Sequence, residues 1–63
     1  MQMFYITRYE HNPKEKTQYY SGNGYWCDSS DMVSMRLYSD EIDVKEIIIN
    51  YTECDWHSVE LRD

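Results

Sequence analysis

The chain has 63 residues, with twelve acidic side chains against six basic ones for a net charge of −6, and its aromatic content is one Phe, two Trp and seven Tyr. A chain this short buries only about 60% of the surface its unfolded form exposes, so residues 1–63 read as a single compact domain with one core and no room for an active-site cavity. The cations Arg8, Lys14, Lys16, Arg36, Lys45 and Arg62 are scattered, which argues against direct binding to nucleic acid or to an anionic membrane, since both need clustered Lys and Arg.

Met3 to Tyr9 is rich in β-branched and aromatic residues and reads as the first strand, with Met3, Tyr5, Thr7 and Tyr9 on one side and Phe4, Ile6 and Arg8 on the other. Residues 10–16 contain Asn12-Pro13 and four charged residues, the mark of a solvated connection. Strand character resumes over 17–21 and runs into Gly22-Asn23-Gly24, which tolerate positive φ, before Tyr25-Trp26-Cys27; a hairpin over 17–27 follows. Asp28-Ser29-Ser30-Asp31 is a cluster of capping residues ahead of a helical turn over 32–35, and Arg36-Leu37-Tyr38 returns as extended chain.

Ser39 reads as the cap of a second helix, because Asp40, Glu41 and Asp43 then fall where carboxylates favour the positive end of the helix dipole. Val44, Ile47, Ile48 and Tyr51 recur at helical spacing as one apolar stripe. Ile47 to Tyr51 is equally good strand material by composition, so residues 46–52 stay open between helix and strand. Residues 56–61 close the chain as a strand, with Trp56, Ser58 and Glu60 opposite His57, Val59 and Leu61.

The expected fold is α+β: a small antiparallel sheet of three to four strands with one helix packed on one face, in the order β-β-β-short helix-α-β. Its core is drawn from Phe4, Ile6, Tyr20, Trp26, Leu37, Val44, Ile47, Ile48, Val59 and Leu61. The opening MQMFYITRYE lacks a basic start followed by a long apolar run, and no window approaches the roughly 20 apolar residues of a membrane span. The expected compartment is therefore the cytoplasm, where Cys27 and Cys54 serve as small hydrophobes or at most as one staple.

The amino-terminal strand, the Tyr-Tyr-Ser-Gly-Asn-Gly-Tyr-Trp hairpin of 19–26, the polar turn before Leu37-Tyr38-Ser39, the acidic-started helix and the closing Val59-Glu60-Leu61 together resemble small phage-encoded accessory proteins in layout. That resemblance implies a protein without enzymatic activity that works in the host cytoplasm by binding a host protein, in some cases as an inhibitor of a host enzyme or defence system. It assigns no binding residue.

Cys54-x-x-His57, with Cys27 and His11 elsewhere, offers sulfur and nitrogen ligands for zinc, but only one pair is close in sequence and no metal or cofactor is expected. A Cys–His nucleophilic pair also needs an orienting group, an oxyanion hole and a substrate cleft, so catalysis is not expected either. Rings are the better signal, because Tyr packs large area with few rotors, and Tyr5, Tyr9, Tyr19 and Tyr25 are candidate partner-binding residues. Asp28, Asp31, Asp40, Glu41, Asp43 and Glu46 are the candidate acidic contacts, either a negative stripe that imitates phosphate rows or an ordinary solvated face. The expected partner is another protein with a basic surface, including a nucleic-acid-binding enzyme. The competing expectation is a homodimer that hides an uncovered sheet face or edge against itself.

Overall fold

Strand β1 (Gln2–Glu10) is the central element of the computed structural model, which describes residues 1–10, 16–28, 31, 33–51 and 53–62. Around it lie β2 (Lys16–Gly22), β3 (Tyr25–Cys27), helix α1 (Glu41–Ile48) and β4 (Cys54–Glu60). The sheet order is β3-β2-β1-β4 and every neighbouring pair is antiparallel. This is the small α+β fold that the sequence pattern predicts, an open four-stranded sheet with one helix. The connection predicted over 10–16 is shorter at both ends, because Glu10 closes β1 and Lys16 opens β2 as a cross-strand pair; its middle, residues 11–15, lies outside the described residues.

The hairpin between β2 and β3 turns through Asn23 and Gly24, at φ 54° and 82°, with Gly22 at φ 98° beside a break in register between Tyr20 and Gly22. Three successive positive-φ residues explain why both glycines of the chain sit here. The Tyr20 hydroxyl accepts from the Gly24 N–H at 2.9 Å, so a core tyrosine also fixes the turn.

From β3 at one edge of the sheet the chain must reach β4 at the other. The expected short helix of 32–35 is, over its described residues, one hydrogen-bonded turn: Met35 N–H donates to Asp31 O at 2.9 Å and the Asp31 carboxylate accepts from Val33 N–H. A strap follows. Arg36 N–H donates to Tyr20 O, and Tyr38 exchanges two 2.8 Å bonds with Phe4, so residues 36–38 fill the gap where β2 parts from β1.

Helix α1 starts one residue later than the Ser39 cap predicts. Asp40 is the N-cap, with φ −123° and its carboxylate accepting from Ile42 N–H at 3.0 Å. Asp40 therefore leaves the first helical turn and becomes its boundary. The open choice at 46–52 falls to helix through Ile48 and turn through Asn50, with residue 52 outside the described residues. Side-chain placement shows why: helical spacing puts Val44, Ile47, Ile48 and Tyr51 together on the core, whereas a strand would have buried Ile49, which is 80% exposed.

The core cluster is Ile6, Tyr20 and Val44, with Phe4, Trp26, Tyr38, Ile47, Ile48, Tyr51, Cys54 and Trp56 packed against it. Three expected core members, Leu37, Val59 and Leu61, are half-buried and outside this cluster. For Val59 and Leu61 the reason is the β1–β4 register. Pairing Ile6 with Trp56 and Tyr5 with His57 turns Trp56 toward the helix and sends His57 and Val59 to the other face. Trp56 meets Phe4 edge-on at 5.8 Å and lies under Lys45, while Met35 is buried beside the strap. Arg8 also points to the helix side, its guanidinium 4.5 Å from the Trp26 ring centre and its Nε donating to Gln18.

The topology removes the one staple the sequence allowed. Cys27 on β3 and Cys54 on β4 occupy opposite edges, three inter-strand steps of about 4.8 Å apart, beyond the roughly 7 Å Cα limit for a disulfide. Burial raises the Cys54 thiol pKa. Strand alternation also places Cys54 and His57 on opposite faces, so they cannot share one metal ion.

Because a core this small supplies only about 3–5 kcal/mol of net stability, single methylenes matter. Ile6→Val should cost about 0.5–1.5 kcal/mol and lower the melting temperature by roughly 2–12 °C, read by thermal circular dichroism. For the helix start, Asp40→Ala should destabilise by about 1 kcal/mol while Ser39→Ala changes little; equal losses in denaturant titrations would return the cap to Ser39.

Candidate functional site

Helix α1 covers one face of the sheet, and the other face carries an aromatic depression. Thr7 lies at its floor, only 9% exposed, in the middle of β1. Its same-side neighbours along the strand are Tyr5 and Tyr9, its cross-strand partner on β2 is Tyr19, and its partner on β4 is Asp55. A small residue ringed by three tyrosines leaves a hollow, here about 330 Å³, lined by Tyr5, Thr7, Tyr9, Tyr19, Asp55 and His57 with Thr17 and Glu53 beside them. That volume is at the lower end of the range for ligand pockets, about 300–1,000 Å³.

The walls are held by one another. Tyr5 lies 6.2 Å from Tyr19, tilted 39°, and stacks on His57 at 5.2 Å and 28°. The His57 Nε2 and the Thr7 hydroxyl are 2.9 Å apart, which ties the imidazole to the floor. Cross-strand ring pairs of this kind contribute roughly 0.2–1 kcal/mol each to the sheet, so the row Tyr19–Tyr5–His57 stiffens three adjacent strands as well as shaping the hollow. Arg8 borders the depression through its place in β1, but its guanidinium lies across the sheet over Trp26. Among the described residues the acidic side chains in its lining are Glu53 and Asp55.

Of the four tyrosines singled out from sequence, the structure thus brings Tyr5, Tyr9 and Tyr19 into one site. Tyr25 is 72% exposed at the hairpin end and does not line the hollow. The six acidic candidates do not converge there either. Asp28 bonds to Lys16 at 3.1 Å and Gln18 at 3.2 Å, Asp31 and Asp40 hold turn and helix starts, and Glu41 pairs with Lys45 at 2.9 Å. Asp43 and Glu46 are exposed on α1, on the far side of the sheet from the hollow. Sequence reasoning missed Thr7, Thr17, Glu53, Asp55 and His57. Alternation around Tyr5 and Tyr9 already marks Thr7, whereas Asp55 and His57 join the site only through the β1–β4 register.

Among the described residues no helix is long and apolar enough to cross a membrane. Comparison with family models, with curated proteins and with solved structures finds no match to this chain.

Asp28 supplies a pH test of the site's flank. Hydrogen bonds from Lys16 and then Gln18 hold its carboxyl below the ordinary value. A depressed folded-state pKa contributes stability that is present above the unfolded value of about 4 and lost as pH falls through the lower folded value. Melting temperature of the parent should therefore fall more steeply than that of Asp28→Asn below pH 4, by a small margin because the pair is exposed.

Proposed function

We propose that this chain is a small acidic protein-interaction module, and specifically a phage inhibitor that binds a host enzyme or defence protein and blocks it in the host cytoplasm. The observation that carries this reading is the sheet face opposite the helix, which among the described residues carries no covering element and where Tyr5, Tyr9 and Tyr19 surround a hollow. Rings with few rotors give contact area at low entropic cost, as interface anchors require. The net charge of −6 steers the module toward a basic surface, such as one that ordinarily holds nucleic acid. A second reading, a homodimer, draws on β4, which occupies one end of the sheet order and offers its outer edge for strand pairing. Two copies would each bring the same excess of acid to the contact, which disfavours that arrangement relative to a basic partner.

Affinity capture from host lysate tests the module directly. The parent should retain a specific protein whose capture weakens as ionic strength rises and is lost with the double variant Tyr5→Ala, Tyr19→Ala, provided that variant still melts cooperatively. Capture that is flat with salt, or unchanged in the double variant, would sink this reading, and a concentration-dependent mass doubling by light scattering would favour the dimer.

A further inference from the structure

Resting on the interaction reading above, we propose that the hollow over Thr7 is a receptor for one arginine side chain of the partner protein. Three features of the site select that group. The first is the ring arrangement: with Tyr5 and Tyr19 centred 6.2 Å apart on neighbouring strands, a cation seated above Thr7 lies within the roughly 6 Å reach of ring–cation attraction from both. The second is charge. Asp55 faces Thr7 directly across the β1–β4 pairing, while the Arg8 guanidinium lies over Trp26 and its Nε donates to Gln18 on the other face.

The third is shape. A guanidinium is planar and weakly hydrated, so it can lie against a phenol ring while its fork of N–H groups meets a carboxylate, whereas an ammonium is a strongly hydrated point charge with no such plane. The lining brings Tyr5, Tyr19 and Asp55 together, and rings beside a carboxylate are the combination a guanidinium uses. The Asp55 carboxylate repels phosphate, so stacked bases of a single strand, the other ligand that an aromatic sheet face suits, are disfavoured.

The test uses the full chain and four probes followed by NMR: acetyl-Gly-Arg-Gly-amide, the same peptide with lysine, the same with uncharged citrulline, and oligothymidylate. The arginine peptide should shift signals of Tyr5, Thr7, Tyr19, Asp55 and His57, and should bind about two- to fivefold more tightly than the citrulline peptide, as expected for loss of a ring–cation contact. Asp55→Asn, an exposed position whose change should leave the melting temperature intact, should weaken the arginine peptide by a similar factor; Tyr19→Leu serves as the second variant. Shifts that map away from the hollow, no shifts at all, equal binding of lysine or citrulline peptide, or preferential response to oligothymidylate would overturn the assignment. These outcomes are separable from the fate of the broader reading: a silent peptide with tyrosine-dependent lysate capture removes only the arginine receptor, and peptide binding without any such capture removes only the inhibitor.

Discussion

Burial of Val44 together with Ile6 and Tyr20 is the contact on which the remaining structure depends, since these are the members of the central cluster and Ile6 and Val44 are fully buried. One eight-residue helix cannot cover both faces of a four-stranded sheet. By committing Val44, Ile47 and Ile48 to one side, α1 decides which face becomes core and which meets solvent. Everything on the helix side is then drawn inward, including Trp26, Trp56 and Tyr51, whose rings close the cluster edge-on. The opposite side keeps its tyrosines at the surface.

That asymmetry gives the two sets of aromatic residues different physical roles. Tyr20, Trp26 and Tyr51 supply buried area that a chain of this length cannot otherwise obtain, and Tyr20 also ties down the hairpin turn through its hydroxyl. Tyr5 and Tyr19 pack on each other and on His57, yet remain open above Thr7. The carboxylates divide in the same way. Those of Asp28, Asp31, Asp40 and Glu41, four of the twelve acidic residues, are taken up by local hydrogen bonds and ion pairs, and the two that line the hollow belong to residues that a reading for runs and helical spacing passes over.

Much of the fold was legible because its signals are local. Period-two alternation marks β1, the Gly-Asn-Gly run marks the hairpin, and the 44–47–48–51 stripe marks α1, each depending on backbone geometry within a few residues. Where the reading went astray, a choice between two locally equivalent arrangements had to be made at a distance. Ser39 and Asp40 are both competent caps; the helix register that delivers Val44 to Ile6 selects Asp40. Residues 56–61 alternate equally well with either face inward, and Trp56 goes in because Ile6 pairs with it.

The order of residues alone determined the strand character of β1, β2, β3 and β4, the turn between β2 and β3, and the two-sided character of β1 with tyrosines along one side, since each follows from the conformations available to neighbouring residues. Only tertiary structure decided that Tyr5, Tyr9 and Tyr19 would share a hollow with Asp55 and His57, that Tyr25 would stand apart, and that Cys27 and Cys54 would lie at opposite edges. Those outcomes hang on strand order and register, and a sheet's register is set by which face the rest of the chain buries.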